Sequence, residues 1–282
     1  MIHIIYMAAG NSRRFGSNKL FYELDGKPMY RHLLDRLIEI KDRYNNSENT
    51  SANKPLDYDE MDVDTAIDTY IGTDIDLSKK AEKKTKNADS NSPLIDITVV
   101  TRYREILDYC SSIPDCRVVL SPDSEKGISY TIKAGIMAVK EQKKTGMQTG
   151  QGGVQTGQGG VRQKKPGKSS EVTRNSAETE EYYMFAVADQ PYLKSQSVIK
   201  LIDKVFENTG REQLAFSLRC GDAVGNPCVF NSLLIPQLLS LEGDKGGRSV
   251  AKRHDCVYVD IADESELMDI DTLSNSKQTG TL

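Results

Sequence analysis

Several features that define other classes of protein are missing from this 282-residue chain. No window approaches the roughly 18 uninterrupted apolar residues that a membrane-spanning helix needs. The first residues, Met-Ile-His-Ile-Ile-Tyr, lack the basic segment that begins a secretory signal peptide. These absences predict a soluble cytoplasmic protein that has no membrane partner.

Paired cysteines and an excess of positive charge are also lacking. The five cysteines form no Cys-x-x-Cys pair, so we expect reduced core thiols and no disulfide framework or zinc knuckle. Lysine and arginine number 37 against 41 aspartates and glutamates, which gives a net charge of −4 and a pI of about 5.6. Proteins whose main ligand is nucleic acid usually have a pI above about 9 and lysine and arginine residues clustered on one face. A nucleic-acid partner is therefore not expected.

Large apolar residues are scarce in two stretches, 44–92 and 141–181. The first combines an acidic block with a lysine cluster, and the second holds a perfect tandem heptapeptide at 148–154 and 155–161. Opposite charge blocks and dense glycine are typical of solvated, flexible chain. The other 192 residues suffice for one well-filled core. We predict a single domain over 1–282, interrupted by flexible insertions at about 44–92 and 141–181.

The remaining sequence alternates short apolar runs with helical periodicity. Buried parallel strands are predicted at 2–8, 96–101, 117–121 and 183–188, with later strands near 213–218 and 256–261. Helices with one apolar face are predicted from Pro28 as the first helical residue, over 128–140, around 198–206 and over 233–239. This alternation predicts an α/β fold, with a single mostly parallel sheet that is covered by helices on both faces.

The loop at 7–19 follows the first predicted strand and combines small residues with two glycines, two arginines and a lysine. Small residues let backbone N–H groups approach an anion, and the cations neutralise it, so the loop favours triphosphate binding. It matches neither the Walker A pattern nor the dinucleotide Gly-x-Gly-x-x-Gly. A generic loop with solvated basic side chains is the alternative. The candidate nucleotide-binding residues here are Ala8, Ala9, Gly10, Asn11, Ser12, Arg13, Arg14, Gly16 and Lys19.

Asp189 directly follows the predicted strand at 183–188. Open α/β sheets bind ligands at the carboxyl ends of their strands. Mg²⁺ takes one or two carboxylates together with phosphate oxygens and waters. An Asx turn before Pro191 is the alternative role for Asp189, but the strand-end position favours the metal. No Ser/His/Asp or Cys/His pair is indicated: His3 is expected in the core and His32 in solvent.

Six ordered groups of residues carry a family resemblance. They lie at 7–21 with 25–29, then at 125–136, 188–192, 225–230, 243–248 and 269–272. They resemble the opening loop, the Glu-Gly-x-Ser segment, the metal-binding Asp-x-Pro turn, the Gly-His-Pro turn, the Gly-Asp-x-Gly-Ala-Arg segment and the closing Asp-Ile-Asp-Thr-Pro of the MobA-like nucleotidyltransferases. Among these, the chain is most similar to the molybdenum-cofactor cytidylyltransferases. The resemblance covers essentially the 192 residues outside the insertions.

The resemblance implies a Rossmann-like nucleotide-diphospho-sugar transferase fold. It also implies Mg²⁺-dependent transfer of CMP from CTP to the phosphate of molybdenum-molybdopterin, with release of pyrophosphate. Arg14 and Lys19 match the family's loop cations, so they are expected to hold the β- and γ-phosphates.

Further roles follow from the same resemblance. Asp189 joins Arg14 and Lys19 as a catalytic candidate. Asp189 and Asp271 are the expected metal ligands, with Asp269 as the nearby alternative to Asp271. Gly127 and Ser129 are expected to contact the nucleotide, although Ser129 suits a helix cap equally well.

Some positions depart from the family pattern. Phe15 replaces a usual Met, Asn226 stands where His is common on the acceptor side, and Leu273 replaces the closing Pro. The Ala-Ala-Gly at 8–10 resembles the cytidine enzymes, whereas the guanylyltransferases carry Ala-Gly-Gly.

Two alternative functions stay open. The first is a guanylyltransferase, or a cytidylyltransferase for another phosphorylated acceptor. The second is a non-catalytic accessory protein that hands the cofactor to a molybdenum hydroxylase. The retained cations and carboxylates favour the enzyme, for which a molybdenum hydroxylase or its accessory protein is then a candidate partner.

Overall fold

The computed structural model describes residues 1–12, 15–46, 93–149, 180–208 and 213–271. Most of the two predicted insertions, and the loop residues Arg13 and Arg14, lie outside the described residues. The strands are β1 (Ile2–Ala8), β2 (Glu23–Leu24), β3 (Lys27–Pro28), β4 (Ile95–Thr101), β5 (Cys116–Leu120), β6 (Tyr182–Val187), β7 (Ala215–Cys220), β8 (Ala223–Asn231) and β9 (Cys256–Asp260). The α-helices are α1 (Met29–Asn46), α2 (Arg104–Ser111), α3 (Ile128–Thr149), α4 (Ser195–Glu207), α5 (Ile235–Leu239) and α6 (Arg248–Ala251).

Seven strands form one sheet in the order β5-β4-β1-β6-β8-β7-β9. Strand β1 lies parallel between β4 and β6, and β4 is parallel to β5. Strand β8 runs antiparallel to both of its neighbours, while β7 and β9 are parallel. The predicted α/β fold with a mostly parallel sheet is confirmed. In the described parts of the chain, no helix is long and apolar enough to cross a membrane.

Helices cover both faces of the sheet, which explains why every residue of β1 except His3 is apolar. Ile4 and Tyr6 pack on one face, in the cluster that α1, α2 and α4 cover. Ile5 and Met7 pack on the other face, under α3, α5 and α6. Every residue of β1 is therefore buried, as expected for a strand inside a parallel sheet.

Some elements differ from the sequence predictions. Strand β8 was not predicted, because Gly225, Asn226 and Pro227 interrupt its apolar pattern. Helix α2 was not predicted either. Helix α3 extends to Thr149 rather than ending at 140, since 141–144 are polar residues that favour helix without an apolar face. Helix α1 begins at Met29, and Pro28 belongs to the short β2–β3 pair.

The prediction that His32 is solvated was wrong. Its side chain is buried, and Nε2 lies 2.8 Å from the Leu24 carbonyl oxygen, because the β2–β3 hairpin folds over the start of α1. His3 is in the core as expected, with Nδ1 2.9 Å from an Asp96 carboxylate oxygen.

Candidate nucleotide-binding site

A cavity of about 370 Å³ opens where β1 and β6 end. Because these neighbouring strands are parallel, the loops that follow them meet at one edge of the sheet. The volume falls within the roughly 300–1,000 Å³ that small-molecule sites usually have. The lining combines the loop after β1, the turn after β6, the start of α3 and two more distant carboxylates. Its residues are Met7, Ala9, Gly10, Asn11, Ser12, Lys19, Leu20, Ser124, Gly127, Ile128, Thr131, Val187, Ala188, Asp189, Asp244 and Asp271.

The cavity brings together most of the residues singled out in the sequence. Those that line it are Ala9, Gly10, Asn11, Ser12, Lys19, Gly127, Asp189 and Asp271. Ala8 and Gly16 do not line it. Ala8 is fully buried, and its carbonyl oxygen accepts a hydrogen bond of 2.9 Å from the Thr101 hydroxyl. Gly16 adopts a φ of +78°, a conformation that favours glycine, so its place in the loop has a backbone reason.

Ser129 stands behind the cavity wall. It is fully buried, and its hydroxyl has no hydrogen-bond partner among the described residues. Its backbone N–H donates to the Gly243 carbonyl oxygen at 3.1 Å. Ser129 therefore neither lines the cavity nor caps α3 through its side chain.

Lys19 lies between the two acidic side chains Asp189 and Asp271 in the lining of the cavity. Its ammonium nitrogen Nζ donates to Asp189 Oδ2 at 2.7 Å and to Asp271 Oδ1 at 2.9 Å. Burial alone lowers a lysine pKa, but the two carboxylates outweigh it and raise the pKa of Lys19. The ammonium is thus charged at neutral pH and balances one of its two partners.

Asp269 is a third carboxylate near this pair. Partial burial of its carboxyl group, followed by the charge of Asp189, raises its pKa to about 6, although much of the residue faces solvent. Asp271 lines the cavity and Asp269 does not. Of the two alternatives for the second metal ligand, Asp271 is therefore the one that faces the cavity.

The Asp189 turn is held by a segment from the far end of the described chain. The backbone N–H of Ile270 donates to the Asp189 carbonyl oxygen at 2.9 Å. The Gln190 side-chain amide donates to the Leu267 carbonyl oxygen at 3.0 Å. These bonds bring the 267–271 segment beside the end of β6, which is how Asp271 reaches the cavity.

Helix α1 holds the same turn from the other side. Arg36 donates to the carbonyl oxygens of Pro191 and Leu193 at 2.6 and 3.1 Å. The end of the turn is also held from the side of the 267–271 segment, because the buried Glu266 carboxylate accepts a hydrogen bond of 3.0 Å from the Lys194 backbone N–H. Asp189 therefore stands on a turn that is fixed from two directions.

The loop after β1 is fastened at several points. The backbone N–H of Lys19 donates to the Ser12 hydroxyl at 2.9 Å, and the Asn11 side-chain amide donates to the Glu125 carbonyl oxygen at 2.9 Å. Phe15, which replaces the family's Met, is buried in a small cluster with Leu24, Met29 and Ile270. The aromatic residue thus anchors the loop from below while Lys19 points into the cavity.

Gly127 allows two backbones to meet at the entrance to α3. Its φ is +139°, and a Cβ placed there would lie 2.4 Å from the backbone C and O atoms of Gly243. This close approach places Asp244, the residue after Gly243, on the cavity wall. Sequence reasoning missed Asp244, Ser124 and Thr131, although all three lie in or beside segments that carry the family resemblance.

The donor atoms suit a hard divalent cation. Asp189 and Asp271 offer carboxylate oxygens, and Mg²⁺ completes such a site with waters and phosphate oxygens. Over the ranges that the structure describes, no group of three or more His, Cys, Asp or Glu side chains is arranged to hold a metal ion.

Comparison with known proteins gives a family match over most of the chain. The model of the MobA-like NTP transferase domain matches residues 4–70 and 87–257. Two short segments resemble curated proteins. One of 37 residues is 54% identical to 2-C-methyl-D-erythritol 4-phosphate cytidylyltransferase of Rhodopirellula baltica, and one of 31 residues is 55% identical to a probable molybdenum cofactor guanylyltransferase of Pyrococcus horikoshii.

These segments cover 12% and 11% of this chain, and only 15% and 16% of the two curated proteins. Among solved structures, a nucleotidyl transferase from Methanothermobacter has a TM-score of 0.53 and 15% sequence identity. The likeness covers 98% of this chain and 94% of the other. At this identity the likeness shows a shared fold.

Proposed function

Because the chain belongs to the MobA-like NTP transferase family and is a nucleotidyltransferase, we propose a specific reaction for it. We propose that it is a Mg²⁺-dependent cytidylyltransferase that acts in the maturation of the molybdenum cofactor. It moves CMP from CTP to the phosphate of molybdenum-molybdopterin and releases pyrophosphate. The observation that carries the proposal is the contact of Lys19 with Asp189 and Asp271 in a cavity bordered by the loop after β1.

The chain's own residues bind and orient the triphosphate in this proposal. Backbone N–H groups at 9–12 approach the phosphates, and Lys19 balances their charge together with Arg14, which lies outside the described residues. Asp189 and Asp271 would hold Mg²⁺, which would supply positive charge to offset the charge that develops on the leaving pyrophosphate. No side chain has to act as a nucleophile, because an oxygen of the acceptor phosphate attacks the α-phosphorus and pyrophosphate leaves.

The choice of CTP rests on the Ala-Ala-Gly at 8–10. The two curated matches differ on this point, since one is named a cytidylyltransferase and the other a guanylyltransferase. Transfer of GMP from GTP is therefore the second candidate, in the same cavity and with the same residues. The second match is named for the molybdenum cofactor, which supports the proposed acceptor. A molybdenum hydroxylase or its accessory protein is the proposed recipient of the product.

The proposal is tested by pyrophosphate release with Mg²⁺ and molybdenum-loaded molybdopterin, comparing CTP with GTP. We expect release with CTP, and its loss in Asp189→Asn. The matched control is Asp222→Asn, because Asp222 is exposed and lies outside the cavity lining.

Each other outcome excludes one part of the proposal. Faster release of pyrophosphate with GTP than with CTP would change the assigned nucleotide to GTP and leave the proposed roles of the residues unchanged. Release only with another phosphorylated acceptor, such as 2-C-methyl-D-erythritol 4-phosphate, would replace the acceptor. No release from folded protein, with cofactor delivery intact in Asp189→Asn, would favour an accessory protein.

A further inference from the structure

Lys19 engages the same two carboxylates that are proposed to hold the metal. Its ammonium lies 2.7 Å from Asp189 Oδ2 and 2.9 Å from Asp271 Oδ1, so one oxygen of each carboxylate is already paired with a positive charge. The Lys19 side chain is only 6% exposed, which limits screening of these contacts by water. A divalent ion that bound these two oxygens, Asp189 Oδ2 and Asp271 Oδ1, would have to replace the Lys19 ammonium.

The backbone of Lys19 is fixed while its side chain is a flexible stem. Its N–H donates to the Ser12 hydroxyl, and its carbonyl oxygen accepts from the Tyr22 N–H at 3.1 Å. Four methylene groups separate this fixed backbone from the ammonium, which can therefore change partner without movement of the loop. Because Lys19 lines the cavity together with Gly10, Asn11 and Ser12, phosphates bound beside this loop offer such a partner.

We propose that the Lys19 ammonium and a divalent cation compete for the Asp189–Asp271 pair, and that a bound triphosphate relieves the competition by attracting Lys19. This inference rests on the proposed function only in placing phosphates and a metal in this cavity. The two cations repel each other at the few ångströms that one carboxylate pair allows. The metal alone therefore binds weakly, and metal and nucleotide strengthen each other's binding reciprocally.

The first test measures Mn²⁺ binding to the full chain at pH 8 without nucleotide or acceptor, by the electron paramagnetic resonance signal of free Mn²⁺. Lys19→Met keeps the length of the side chain and removes its charge. We expect it to bind Mn²⁺ about tenfold more tightly than the wild type, because the competing cation is gone. Asp271→Asn added to Lys19→Met should abolish this gain, which places the ion at the carboxylate pair.

Lys27→Met is the matched control. Lys27 pairs with Asp35 at 2.9 Å and does not line the cavity, so this variant removes the same net charge at another place. We expect its Mn²⁺ affinity to stay within about twofold of the wild type. Thermal melts verify folding of each variant, and Lys19→Gln takes the place of Lys19→Met if the latter does not fold.

A second measurement follows the coupling. Addition of CTP, or of GTP if that nucleotide binds better, should tighten Mn²⁺ binding more in the wild type than in Lys19→Met. Unchanged or weaker Mn²⁺ binding in Lys19→Met, or in Lys19→Gln where that variant takes its place, overturns the proposal. Equal tightening of Mn²⁺ binding by nucleotide in the wild type and in the Lys19 variant also overturns it. Neither measurement needs turnover or an acceptor, so the result is independent of whether the proposed CMP transfer occurs.

Discussion

Replacing Gly127 by alanine should destabilise the fold strongly for so small a change. The new Cβ would lie 2.4 Å from the backbone C and O atoms of Gly243, and neither backbone can move as a side chain can. Overpacking of this kind costs about 1–3 kcal/mol. The φ of +139° adds backbone strain of about 1–3 kcal/mol for any residue with a Cβ. We expect a loss of about 2–6 kcal/mol, a large fraction of a typical stability of about 5–15 kcal/mol.

Urea unfolding followed by circular dichroism measures this loss. The matched control is Gly246→Ala, in the loop that also carries Gly243, because a Cβ there would meet Ile128 side-chain atoms at 3.7 Å, an ordinary contact. We expect the control to stay within about 0.5–1 kcal/mol of the wild type. Equal stabilities for Gly127→Ala and Gly246→Ala would refute the argument that the Gly127–Gly243 approach is tight.

Two further predictions concern the segment that carries Asp271. Gln190→Met removes the donor to the Leu267 carbonyl oxygen. It also removes Gln190 Oε1, which is buried without a hydrogen-bond partner among the described residues. The two effects oppose each other, so the free energy of unfolding should fall by only about 1 kcal/mol. Urea unfolding against the exposed control Gln142→Met checks it, and equal midpoints would contradict it. Asp269→Asn should become more stable relative to the wild type as the pH rises from about 4 to about 6, and the difference should then level off. The raised pKa means that the folded protein holds this proton more tightly than the unfolded chain. Between about pH 4 and pH 6 the unfolded chain therefore ionises first, and only the wild type loses stability over that range. Above about pH 6 the carboxyl is ionised in both states, so the loss no longer grows. Urea midpoints at pH 4, 5, 6 and 7 measure this difference, and a constant difference would contradict the prediction.

The sequence allowed the parallel half of the sheet to be predicted, and it left β8 undetected. Strands β1, β4 and β6 are buried on both faces, so each is rich in apolar residues and can be recognised locally. Strand β8 acquires its place from pairing with β6 and β7, which local composition does not reveal. Its Gly225, Asn226 and Pro227 are typical of a turn.

Residues of the candidate site were predictable where the loop that carries them follows a strand. Lys19 and Asp189 come after β1 and β6, and the rule that ligands bind at strand ends indicated Asp189. Asp271 was expected only through the family resemblance, because its position depends on the hydrogen bonds of Gln190 and Ile270 across the fold. The interpretation of Ser129 as a cap or a nucleotide contact depended on its rotamer and burial, which no sequence pattern supplies.

The order of the strands in the sheet has a consequence for synthesis of the protein. Strand β1 is made first, yet in the sheet His3 lies between Asp96 of β4 and Tyr183 of β6. The nascent chain therefore carries a largely apolar strand with both edges open until β4 has been made, and with one edge open until β6 has been made. An open edge of this kind is prone to aggregation and suited to chaperone binding. Slow closure of such distant contacts is expected. The Lys19–Asp271 contact can form only after residue 271 has left the ribosome, so in the candidate site it forms later than the Lys19–Asp189 contact can.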